Sequence, residues 1–221
     1  MKKILYFIIS SLLFIACDQA INSPVNNLKE TRKICIQPFE DIDTAYVNEV
    51  KRAVIKHYGF QVDILEPVEL PKNSYISVRT PRYRADTLIK YLKKIKLNEY
   101  NNIIGLTNKD ISITKYIYTG DTEVVKDPQW KYRDFGIFGL GYRPGPSCVI
   151  STFRLYANDA NEEVMRSRLR KISVHELGHN LGLPHCTDTN CLMQDACEKM
   201  STIDSENESL CDKCRKQICV E

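Results

Sequence analysis

The sequence predicts a mixed α/β (α+β) fold: a twisted sheet layered with helices, then a long helix and a small cysteine-rich C-terminal subdomain. Three observations predict it. Up to about residue 155, β-branched runs that alternate every second residue are interleaved with runs of helical period. Residues 161–181, "NEEVMRSRLRKISVHELGHNL", keep helical character without a break. The last 40 residues hold six of the nine cysteines and little that alternates.

The elements follow in order. "KICIQPF" (33–39) alternates and reads as a strand. "DTAYVNEVKRAVIKHYG" (43–59) puts Val47, Val50, Val54 and Ile55 on one side and stops at a glycine, a helix with its C-cap. "FQVDILEPVEL" (60–70) is a second strand. The basic run from Arg79 to Lys96 carries Leu88, Leu92 and Ile95 at helical spacing, so a helix with a solvated basic face is expected over about 85–97. "NNIIGLTNKDI" (101–111) is a third strand running into a turn, and residues 133–155 give two more around a Pro/Gly turn. The 221 residues suit one domain, divided into an N-terminal subdomain (33–182) and a C-terminal one (183–221).

"MKK" followed by "ILYFIISSLLFIA" reads as a secretory signal over 1–16. "LFIA" before Cys17 resembles the lipobox of bacterial lipoproteins, with Phe14 in place of the commoner Leu; an ordinary secretory signal is the alternative. The resemblance implies lipidation at Cys17, a polar tether to residue 32, and an exported, membrane-anchored lipoprotein of a bacterial envelope. Of the formal net charge of +3, Lys2 and Lys3 account for two, so the mature chain carries about +1, no footprint for nucleic acid.

Three of the four histidines lie in "HELGHNLGLPHC" (175–186). Residues i and i+4 of a helix share a face, so His175 and His179 can chelate one metal ion, with Glu176 beside the metal rather than on it. Gly182 tolerates the positive φ that ends a helix, and Pro184 stiffens the returning chain that delivers His185. Three imidazoles leave a fourth zinc position for a water of lowered pKa, whose proton Glu176 can take.

The pattern H-E-x-x-H-x-x-G-x-x-H resembles the metzincin clan of metallopeptidases, in which a methionine packs in a turn beneath the metal; Met193 is the matching position. With the cysteines the string becomes H-E-x-x-H-x-x-G-x-x-H-C-x4-C-x-M-x17-C-x-x-C, which resembles the archaemetzincin family. The match covers 175–214, with weaker echoes upstream in "GLTNKD" and "VISTFRL", back to about residue 33. The resemblance implies a metzincin-like fold and a second, structural zinc held by Cys186, Cys191, Cys211 and Cys214. In an oxidising compartment the same four thiols would instead make two disulfides. Cys35, Cys148, Cys197 and Cys219 have no counterpart in the motif and are disulfides or buried thiols. The resemblance also implies that an extended peptide lies along an edge strand around Phe135–Leu140, where Gly136, Gly139 and Gly141 allow close backbone approach or mark bulges.

The expected activity is that of a monomeric, membrane-tethered zinc metallopeptidase acting on peptide or protein. Its rivals are a zinc-stabilised binding protein that kept the site as scaffold, and a zinc hydrolase of a non-peptide substrate. Retention of Glu176 favours an enzyme, because a scaffold needs no base.

Overall fold

The computed structural model describes residues 32–40, 42–119, 121–158, 160–195 and 199–218. In chain order the elements are β1 (Lys33–Pro38), α1 (Thr44–Tyr58), β2 (Gln61–Ile64), β3 (Tyr75–Ser77), β4 (Pro81–Arg84), α2 (Ala85–Ile95), β5 (Asn102–Thr107) and β6 (Ile111–Ile113). There follow β7 (Tyr116–Thr119), β8 (Thr122–Val125), α3 (Gln129–Tyr132), β9 (Phe135–Ile137), β10 (Gly139–Gly141), β11 (Ser147–Ser151), α4 (Glu162–Asn180), α5 (Met200–Ser205) and α6 (Asp212–Gln217).

The main sheet has the order β10-β11-β5-β1-β2. Its β2, β1, β5 and β11 are parallel, and β10 closes one edge antiparallel to β11. Parallel strands covered on both faces need apolar side chains on both, and these have them. Ile34, Ile36, Ile104, Leu106, Cys148 and Ile150 face α1 and α4 in one core, whereas Cys35, Ile103 and Val149 face α2 in a second. Cys35 and Cys148 therefore point to opposite faces as buried free thiols, which removes the expectation of a disulfide at either.

Local sequence explains the helices. The Asp43 side chain accepts from Ala45 N–H at 2.7 Å to start α1, and Gly59 at φ 68° ends it. In α2, Leu88, Ile89 and Leu92 are buried while Lys90, Lys93 and Lys94 are exposed, as the basic-face reading expected. Asn161 caps α4, its side chain accepting from Val164 N–H at 3.0 Å.

The second strand is shorter than expected. It stops at Ile64, and only the Phe39–Val68 bridge continues the pairing, because Pro67 lacks an amide hydrogen. Of the two strands expected over 133–155, the one before the Pro/Gly turn divides between two sheets and the one after it is β11. β9 ends a four-stranded sheet of order β3-β4-β6-β9, and β10 takes the edge of the main sheet. The β7–β8 hairpin and the β3–β4 pair went unseen in the sequence, since runs of three or four residues are too short to show a period. The cysteine-rich segment shares the core of α1 and α4 through Leu183, Leu192, Met193, Met200, Ile203 and Leu210.

Leu92 lies fully buried between α2 and the sheet, touching the position where Gly105 has no side chain. Leu92→Ala should destabilise the fold by about 2–5 kcal/mol, read as a lower denaturant midpoint with unchanged slope.

Candidate active site

Helix α4 is buried along most of its length and carries His175, Glu176 and His179 into the molecule. It ends at Asn180, and Gly182 adopts φ 101°, donating its N–H to His179 O at 2.9 Å. That reversal sends the chain back so that His185 meets the helical pair. Ring centroids are 4.6 Å apart for His175–His179, 4.8 Å for His179–His185 and 5.4 Å for His175–His185. One ligand atom of each of the three lies within 4.8 Å of the others. Burial falls along the set: His175 is buried, His179 half-buried, His185 exposed, so the site opens beside His185.

Two imidazoles are held by carbonyl groups. His175 Nδ1 lies 2.7 Å from Leu192 O, and His179 Nδ1 lies 2.9 Å from Leu183 O. A carbonyl only accepts, so both Nδ1 atoms carry hydrogen and both Nε2 lone pairs remain for a metal. Burial, then the neighbouring imidazoles, push His175 down to about 3, and burial lowers His179 as well. Both rings are therefore neutral at pH 7, the state in which imidazole ligates. His185 Nδ1 is 3.6 Å from Asp195 Oδ2.

Glu176 is buried against the edge strand. A Cβ at Gly139 would lie 2.7 Å from Glu176 Cγ and 2.9 Å from its Oε1, and one at Gly141 would lie 2.5 Å from the Glu176 carbonyl oxygen. These two glycines let α4 approach β10; they do not mark bulges. Burial pushes the Glu176 carboxyl up to about 8, opposed by the Gly141 N–H. A buried carboxyl on the helix that carries two neutral imidazoles is an environment that a divalent cation would relieve, and N-donors around one open side suit zinc.

Met193 is fully buried beneath the helix. A Cβ at Gly178 would lie 2.5 Å from Met193 Sδ, so the glycine between the two helical histidines makes room for the methionine. Cys186 N–H donates to Met193 O at 2.7 Å, tying the turn to the residue after His185.

The four cysteines converge as free thiols, with Sγ···Sγ distances of 3.7 Å for Cys186–Cys211 and 3.8 Å for Cys191–Cys214. A disulfide is about 2.05 Å long, so the two-disulfide arrangement is not the one observed. A regular tetrahedron with Zn–S bonds of about 2.3 Å has edges of about 3.8 Å, so these thiols fit a zinc ion. Met193 N–H and Cys211 N–H both point at Cys191 Sγ, at 3.5 and 3.3 Å. Burial pushes the Cys191 and Cys214 thiols up; at Cys211 the hydrogen bonds from the Cys214 backbone and the neighbouring thiols outweigh burial and lower it.

Sequence reasoning missed two supporting side chains. Asn180 Nδ2 donates to Tyr142 O and Ser147 O, both at 3.0 Å, fastening the β10–β11 loop to α4. Tyr58, fully buried, donates its hydroxyl to Val174 O at 2.6 Å. Neither follows a pattern; only the "HN" after the helical motif signalled an amide beside the site. Cys17 and the leader, and Cys197 and Cys219, lie outside the described residues.

A sequence model described as peptidase family M54 matches residues 32–219. The chain belongs to this family. It is 29% identical over 190 residues to the archaemetzincin of Haloarcula marismortui, covering 83% of this chain and 97% of that one. It is 30% identical to the archaemetzincin of Natronomonas pharaonis, with the same coverage. The crystal structure of the Methanopyrus kandleri archaemetzincin superposes with a TM-score of 0.67 at 26% identity, covering 88% of this chain and 97% of that one. The Archaeoglobus fulgidus archaemetzincin, solved in complex with malonate, gives 0.63 at 27%, covering 84% and 99%. The chain is thus a zinc metallopeptidase of the archaemetzincin type, with the mixed α/β fold the motifs implied. Its zinc dependence follows from the family and from the candidate metal sites.

These relatives correct the expected localisation. They are archaemetzincins of archaea, and nothing in them points to an exported, lipid-anchored protein of a bacterial envelope. Among the described residues no helix is long and apolar enough to cross a membrane. The lipobox-like order "LFIAC" after a basic, apolar leader is short and occurs before cysteines that carry no lipid.

Gly178→Ala tests the packing beneath the site. Alanine favours the helix by up to about 1 kcal/mol, but its methyl displaces Met193. The variant should lose about 1–3 kcal/mol of stability and bind zinc more weakly, seen as a smaller rise in Tm on adding zinc to chelator-treated protein.

Proposed function

We propose that His175, His179 and His185 hold a catalytic zinc ion and that Glu176 is the general base for hydrolysis of a peptide bond. The observation that carries this reading is the buried Glu176 carboxyl, packed against Gly139 of β10 on the helix that presents His175 and His179. Zinc held there supplies Lewis acidity, polarising oxygen groups at its open position and making a water far more acidic. Glu176 takes the proton of the attacking water on its carboxylate and passes it to the leaving amine. The carbonyl oxygens of Leu192 and Leu183 keep two imidazoles turned with Nε2 toward the ion.

The substrate lies extended along β10. Phe138 O accepts from Ser151 N–H at 2.9 Å, which sets the phase of the antiparallel ladder: Phe138 and Leu140 turn their amides toward β11. Gly139 therefore turns its amide toward the open edge, where the main chain of an extended peptide pairs, while the Gly141 N–H is turned to the Glu176 carboxyl.

Cys186, Cys191, Cys211 and Cys214 hold a second zinc ion in a closed shell that has no catalytic position. It ties the turn carrying Met193 to α6, so that residues 183–221 act as a subdomain placing His185 over the helix of residues 33–182. Every proposed ligand and Glu176 come from one chain, and the enzyme acts as a monomer.

Glu176→Ala keeps all three imidazoles, so zinc should stay bound while peptide hydrolysis falls by ~10²–10⁴. His179→Ala should lose both the ion and the activity, with the fold kept by the separate cysteine cluster. Hydrolysis at the wild-type rate by Glu176→Ala would remove the proposed base.

Metal analysis should find two equivalents of zinc per chain, and zinc X-ray absorption should show mixed nitrogen and sulfur shells. One equivalent without sulfur would exclude the cysteine site.

A further inference from the structure

Beside the edge strand lies a cavity of about 290 Å³ lined by Arg79, Arg82, Lys131, Arg154, Asp134 and Phe138. It is smaller than most small-molecule sites and suits one side chain or chain terminus. Phe138 precedes Gly139, whose missing side chain leaves room for Glu176, so the cavity abuts the site one residue along β10's chain.

Its charges are arranged, not scattered. Asp110, buried, holds both inner arginines: Arg82 Nε at 2.8 Å, Arg154 Nε at 2.7 Å and Arg154 Nη2 at 2.7 Å. Arg82 Nη1 also donates to Asp134 O at 2.6 Å and lies 3.2 Å from Asp134 Oδ2. Among the described residues, nothing takes Arg154 Nη1 or Arg82 Nη2. A Cβ at Gly136 would lie 2.1 Å from Arg154 Nη2, so this glycine exists to admit the guanidinium. Asp110 and Asp134 neutralise two of the four cations; the surplus belongs to Arg79 and Lys131 at the rim. Arg79 is stacked over Trp130, its Cζ 5.0 Å from the ring centre. Fixed guanidinium groups with spare donors and excess positive charge recognise a carboxylate.

An added strand antiparallel to β10 carries its C-terminal half toward Phe138. We propose that this cavity is a specificity subsite, taking a carboxylate of the substrate on the C-terminal side of the scissile bond. The carboxylate is an acidic side chain or the free C-terminus. The assignment rests on the peptidase reading above.

The test uses zinc-loaded full chain and four matched acetylated peptides, with Glu or Gln on the C-terminal side of the scissile bond, each as free acid and as amide. Wild type should prefer a carboxylate-bearing member by about tenfold or more in kcat/KM, mainly through KM. Preference for Glu among the amides identifies the side chain; preference for acid over amide in the Gln pair identifies the terminus. Lys131→Glu should abolish the preference and Lys131→Arg should keep it. Ratios near one in wild type, an unchanged ratio in Lys131→Glu, or a preference only for acids on the N-terminal side would overturn the proposal. Trp130, the one tryptophan of the chain, gives a readout independent of turnover. Its fluorescence should change saturably with the Glu free acid and not with the Gln amide. If wild type cleaves none of the peptides but Trp130 responds this way, the peptidase reading fails and the cavity stands. Equal responses to both peptides overturn the cavity.

Discussion

The structure depends on one requirement: α4 must be buried while carrying charged and polar side chains into the interior. Arg168, Lys171, Ser173, His175, Glu176 and Asn180 are all buried on this helix. A buried cation without a partner costs several kcal/mol, so each needs specific acceptors. Arg168 is bidentate to Asp204 at 2.7 and 2.8 Å and also donates to Leu155 O and Ala157 O. Lys171 Nζ donates to Ile203 O and Glu206 O, both at 2.7 Å. Asp204, Ile203 and Glu206 lie on and around α5, so satisfying the helix also fixes the segment beyond the histidines.

The same helix is crowded on two other sides, and glycine is the means each time. Gly139 and Gly141 bring β10 onto Glu176; Gly178 brings Met193 up beneath the imidazoles. Close-packed interiors transmit small displacements, so a methyl group at any of these positions displaces Glu176 or Met193. Tyr58 and Asn180 then lock the helix to the loops and to α1 by hydrogen bonds that have no competing water.

The cysteine cluster and the histidine cluster share a hinge. Cys186 follows His185, Cys191 precedes Met193 by two residues, and Leu192 O holds His175. Ordering the thiols therefore orders the turn that carries a ring-orienting carbonyl and a supporting methionine. This coupling explains why a segment with two helices of only six residues each holds His185 in place.

What the sequence determined by itself was chemistry carried at short range. The i, i+4 histidines, the adjacent glutamate, the helix-ending Gly182 and the spaced cysteines all lie within 175–214, where spacing along one helix or turn translates directly into position. The order of the larger elements was legible for the same reason: α1, α2, α4 and β5 are long enough to show their period. Only the tertiary structure decided the rest. It split residues 135–141 between two sheets, separated Cys35 from Cys148, set Tyr58 against Val174, and joined Arg79, Arg82, Lys131 and Arg154 from three parts of the chain. Each of these depends on side chains distant in sequence meeting across packed layers. No local period encodes such meetings, because they are set by how the sheet and helices fill space together.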